Sequence, residues 1–125
     1  PYSVFISDAT NNNQIGISYT STSVTTYARA NGVTLQTLSV ALPSATLTNT
    51  FYKTAWYFSG SGNGVSSVGQ TATTYATAIN VPAVNQMNFA YNGSNSANPL
   101  NGRIKKFAYY PVVLTNTQIQ SLSAN

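Results

Sequence analysis

The sequence predicts an antiparallel all-β sandwich closed by one short C-terminal helix. Three observations predict it. Short β-branched and aromatic segments recur between clusters of Asn, Gly, Ser and Pro, the spacing of hairpin-linked strands. No long helical periodicity interrupts them. A helix-start signal appears only near the C-terminus, after Pro111.

The elements follow in chain order. "YSVFISD" (residues 2–8) and "QIGISYT" (residues 14–20) flank the polar turn "ATNNN" and read as a first hairpin. In "TTYARANGVTLQTLSV", Tyr27 and Arg29 lead into Asn31-Gly32, whose residues tolerate the positive φ angles of a tight hairpin turn. Val33, Leu35 and Leu38 belong to the returning strand. "LPSATLTNT" is a loop. In "FYKTAWYFSG" (residues 51–60), period two places Tyr52, Thr54, Trp56 and Phe58 on one face and Phe51, Lys53, Ala55 and Tyr57 on the other. Lys53 marks its own face as the outer one, so Trp56 is assigned to the core. "SGSGNG" reads as a flexible connection, "VSSVGQTATT" as a further strand and turn, and "NQMNFAYNG" as a strand ending at Asn92-Gly93.

The stretch "LNGRIKKFAYYPVVLTNTQIQSL" (residues 100–122) closes the chain. A strand over residues 104–110 with Ile104, Phe107 and Tyr109 in the core needs one extra residue, supplied by a β-bulge at Lys105-Lys106. Pro111 ends that strand. Thr115 is the expected N-cap, Gln118 its capping-box partner, and Leu114 against Ile119 a hydrophobic staple. The helix is expected to run to about Leu122.

Composition narrows the chemistry. The 125 residues form one domain, and only 5% are charged, against about 25% in an average soluble domain. Seventeen Thr, fifteen Ser and fifteen Asn make the surface one of hydroxyls and amides. The net charge of +4 comes from five Lys and Arg against Asp8 alone. That is fewer cations than the roughly six to ten phosphates a typical duplex binder neutralises, so no nucleic acid partner is expected. No apolar run approaches the roughly 18 residues of a membrane-spanning helix, and no membrane partner is expected. Without Cys there is neither a disulfide framework nor a thiolate metal site.

The same inventory argues against an enzyme. No His and no Cys remove the usual bases and thiol nucleophiles, and one carboxylate cannot serve as the acid and base pair of ordinary glycosidases. A Ser-Lys pair remains a formal option without a recognisable nucleophile elbow. Asp8 with Asn11 to Asn13 offers few oxygens for calcium, and a turn explains these residues better. No metal or cofactor is expected.

The closing stretch resembles the C-terminal signature of laminin G-like, concanavalin A-like jelly-roll domains: a small-residue turn, an Ile, a hydrophobe three residues on, "YYP", then Leu-Thr-x-x-Gln-Ile-x-x-Leu. "YKTAWYF" and "VPAVNQMNFAYNG" are similar to strands of the versions carried by structural proteins of tailed phages. The resemblance implies a jelly roll located in a virion tail, fibre or other appendage, with other virion proteins as partners. By analogy with fibres it also implies a homo-oligomer, a trimer in the first instance. Such domains usually open with a strand upstream of the segment like "SVFISD". The expectation is therefore a fragment of a longer polypeptide, or a sheet completed by a neighbouring chain.

Aromatic platforms are the remaining functional signal. Sugar rings stack on Tyr and Trp through apolar C–H faces while Asn, Ser and Thr bond their hydroxyls. Tyr57 and Tyr110, opposite the expected core faces, and Tyr91 beside its turn are the candidate ligand contacts. Lys105 and Lys106 read as a solvated edge that discourages strand addition, with an anion site as the alternative. The expected role is host-surface glycan recognition, with cell-surface polysaccharide as the ligand; the rival is a structural or decoration module that binds none.

Overall fold

A computed structural model describes residues 2–42, 51–89 and 103–124. The first two expected hairpins form a meander: β1 (Tyr2–Ser7), β2 (Gln14–Tyr19), β3 (Ser23–Ala30) and β4 (Val33–Ala41). Asn31 and Gly32 turn β3 into β4 with φ of 49° and 79°, the left-handed pair that this dipeptide tolerates. A second meander joins β5 (Thr54–Ser59), β6 (Gly62–Ser67) and β7 (Thr73–Tyr75). β8 (Gln86–Phe89) then returns to the first sheet, antiparallel to β1. The result is a five-stranded sheet in the order β4-β3-β2-β1-β8 and a three-stranded sheet in the order β5-β6-β7. β1 is hydrogen-bonded on both sides, by β2 and β8.

The two sheets pack through β3 and β4 against β6 and β7. Ile17, Val24, Leu38, Val40, Leu42 and Val65 form the core cluster, and Tyr19, Tyr52 and Trp56 pack on its margin. Trp56 thus lies on the expected face, half-buried rather than fully enclosed. Gln36 on β4 donates to Asn63 on β6, a buried hydrogen bond that ties the two sheets. Strand β6 begins inside "SGSGNG": Gly62, Asn63 and Gly64 are buried strand residues, not a flexible connection.

Helix α1 (Asn116–Ser123) adds a third layer. Val65 points into the core, so its neighbours Gly64 and Ser66 face the opposite way, toward α1. Ile119 is fully buried there, and the Ser123 hydroxyl meets that of Ser66 at 2.8 Å and accepts from the Gly69 amide at 3.1 Å. Thr115 caps the helix as expected, with Gln118 completing the reciprocal capping box.

Two expectations need correction. Residues 104–110 form no strand, and the proposed core face is exposed: Ile104 by 44%, Phe107 by 46% and Tyr109 by 74%. Arg103, Lys105 and Lys106 crowd three cations into four residues, and the segment stays at the surface, where all three reach water. Phe107 finds a ring partner there, edge-on to Phe89 at 5.6 Å. With no strand there, no bulge forms at Lys105-Lys106; the β3–β4 ladder carries a register shift that was not expected, between Ala28 and Arg29. Gln36, Leu38 and Val40 then point inward by period two, and Val33 beside the turn is 62% exposed.

Candidate functional site

The helix-facing side of β5 carries Tyr57, which is paired with Gly64 across the ladder. Glycine at 64 is what lets the ring lie there: a Cβ built at that position would stand 2.6 Å from Tyr57 Cε1 and 3.0 Å from Cζ. The Tyr57 hydroxyl donates to Asn116 Oδ1 at 3.3 Å, linking the ring to the first turn of α1. The ring edge borders an open groove of about 280 Å³, whose other walls include Ser59, Ser61, Tyr75, Leu114 and Thr115. Ser59 Oγ donates to the Gly62 carbonyl at 3.0 Å and lies 3.0 Å from Ser61 Oγ, which fixes these hydroxyls at the β5–β6 turn. The groove thus combines two tyrosines with the serines of the β5–β6 turn, a lining of mixed apolar and polar character.

Leu114 also borders a second, more apolar groove of about 460 Å³ between Tyr110 and the outer face of α1, with Thr117, Gln118, Ser121 and Leu122. Leu114 is thus a wall common to both grooves. Tyr57 and Tyr110 are brought to its two sides, Tyr57 half-buried and Tyr110 45% exposed. Lys105 and Lys106 are exposed on the segment that leads to Tyr110, and Lys105 Nζ stands 5.5 Å above the Phe51 ring. Tyr91 and the Asn92-Gly93 turn lie outside the described residues.

Asp8 is occupied by its own turn. One carboxylate oxygen accepts from the Thr10 amide and hydroxyl, the other from Asn13 Nδ2 at 2.8 Å. The bonds from Thr10 and then Asn13 hold its carboxyl below the usual carboxylate range. Among the described residues no group of three or more His, Cys, Asp or Glu could hold a metal ion. At the sheet interface, burial pushes the Tyr19 phenol up, partly opposed by a hydrogen bond from Thr54.

No family model, curated protein or solved structure matches the chain. The architecture stands without them: a mainly β domain of two packed antiparallel sheets with one short C-terminal helix. The grooves place Tyr57 and Tyr110, which the sequence singles out, beside Ser59, Ser61 and Leu114, which it does not offer as ligand contacts. Period two along β5 places Ser59 on the Tyr57 face, so that signal was present in the sequence. Tyr75 and Leu114 come from distant parts of the chain and carried no local signal.

Proposed function

We propose that this domain is a non-catalytic recognition module of a virion appendage that binds host-surface glycan at the Tyr57 groove. The carrying observation is the groove itself, which Tyr57 and Tyr75 line together with Ser59 and Ser61. A sugar presents the complementary pattern of apolar C–H faces and hydroxyls, and Tyr has one apolar body and one polar tip. The phage context is supported by the resemblance of the closing motif to laminin G-like, concanavalin A-like domains, and the two-sheet architecture is compatible with a jelly roll. An open, shallow groove gives weak binding per site, so attachment depends on several copies acting together, as in a homo-oligomeric, trimeric appendage.

A second reading has its own support. Ile104, Phe107, Tyr109, Val112 and Val113 form a run of exposed apolar residues of the kind that marks protein contacts. On this reading the domain joins or decorates virion proteins and binds no sugar. Binding of a multivalent form to a glycan array, with Tyr57→Ala as the control, separates the two. Loss of glycan binding by a Tyr57→Ala protein that remains folded and assembled supports recognition; no binding by the intact protein supports the structural module.

A further inference from the structure

The five cations of the chain fall into two groups. Arg29 donates through Nε to the Gly32 carbonyl at 2.8 Å, and Lys53 Nζ donates to the Ala124 carbonyl at 2.7 Å. Both charges are committed to backbone oxygens that a turn or the end of α1 leaves available. Arg103, Lys105 and Lys106 are different: all three are exposed within four residues of one another. The only carboxylate side chain in the sequence, Asp8, is engaged in its own turn. The cationic segment therefore has no carboxylate side chain of its own chain to neutralise it.

Lys105 stands over Phe51, and after Lys106 the same exposed segment presents Phe107, Tyr109 and Tyr110. Tyr110 borders the second groove, which shares Leu114 as a wall with the Tyr57 groove. The cations therefore lie on the same exposed segment as Tyr110, whose groove shares the Leu114 wall with that of Tyr57. A linear polymer with apolar ring faces and intermittent negative charges matches that combination.

We infer that the ligand of this surface is an anionic polysaccharide, its carboxylates meeting Arg103, Lys105 and Lys106 while neighbouring sugar rings lie on Tyr110 and enter the Tyr57 groove. The inference rests on the glycan reading above and specifies its chemical class. Three cations suit a polymer with intermittent charge, whereas a duplex binder neutralises roughly six to ten phosphates. The contacts are solvent-exposed, so they are sensitive to salt and individually modest.

The test uses the intact chain immobilised at high density and an array of bacterial surface polysaccharides. Acidic members are printed beside their carboxyl-reduced neutral forms, with single-stranded DNA as a further arm. Acidic forms are retained and their reduced forms are not. Raising salt from about 50 to about 500 mM weakens retention about tenfold, as does the combined Arg103→Gln, Lys105→Gln, Lys106→Gln variant at unchanged melting temperature. Equal retention of acidic and reduced forms, lost in Tyr57→Ala but not in the triple variant, overturns the anionic class and leaves the glycan reading standing. Retention of no polysaccharide overturns both. DNA retained as tightly as the acidic glycans, with the same loss in the triple variant, overturns the assignment to polysaccharide.

Discussion

Gly64→Ala tests how the candidate site is built. The new Cβ would meet Tyr57 at 2.6 Å (Cε1), 3.0 Å (Cζ) and 3.2 Å (the hydroxyl oxygen). Ordinary carbon contacts begin near about 3.5 Å, so the ring must retreat by about 1 Å. That movement competes with the 3.3 Å bond to Asn116, which is already near the limit of a hydrogen bond. Overpacking of this kind costs about 1–3 kcal/mol, and the reduced freedom of the unfolded chain returns about 0.4–1 kcal/mol. The net expectation is a loss of about 1 kcal/mol. A double-mutant cycle with Tyr57→Ala isolates the contact, because removing the ring removes the atoms that the added methyl group meets. Urea unfolding of the four proteins should give a coupling of about 1–2 kcal/mol. Additivity within about 0.3 kcal/mol would refute the placement of Tyr57 over Gly64.

Trp56→Ala should destabilise by about 2–3 kcal/mol in the same assay, below the range of fully buried aromatics, because the ring sits at the margin of the core. A loss under about 1 kcal/mol would show that it packs on nothing. Ile119→Ala should cost about 2–4 kcal/mol and release α1 from β5 and β6, which loss of helical circular dichroism before the main transition would report. The Asp8 carboxyl is held low, so its contribution to stability is present above the usual carboxylate pKa and is lost as pH falls through the lowered value. Melting temperature should therefore decline below about pH 4, and Asp8→Ala should flatten that decline. An unchanged acid limb in Asp8→Ala would contradict the turn's hydrogen bonding.

Most strands were legible in the sequence because local chemistry specifies them. Asn31-Gly32 demands a tight turn and Thr115 with Gln118 fixes the helix start, whereas the β5 face that Lys53 marks as outer is the one that α1 covers. The failures share a physical cause. Gly62-Asn63-Gly64 has poor strand propensity, yet it lies in β6 because Gly64 accommodates Tyr57 and Asn63 bonds Gln36 across the sheets. Both are tertiary reasons that no window of sequence contains. The residues 104–110 have strong strand propensity but remain outside either ladder, where apolar side chains and clustered cations are exposed together. Tyr57 could be found by its parity on β5, whereas the groove beside it depends on Leu114, brought close by the docking of α1.

Glycan binding through the Tyr57 groove is measured most directly by adsorption of a multivalent form of the chain to host cells or to their purified surface polysaccharide. Tyr57→Ala is compared with the unaltered protein and with Val33→Ala, a change at an exposed site on β4. The account predicts that Tyr57→Ala loses most of the adsorption while the chain stays folded and assembled, with a melting temperature lowered by the lost packing on Gly64 and the lost bond to Asn116, and that Val33→Ala adsorbs normally. Undiminished adsorption by a folded, assembled Tyr57→Ala protein, or none by the unaltered one, would contradict it.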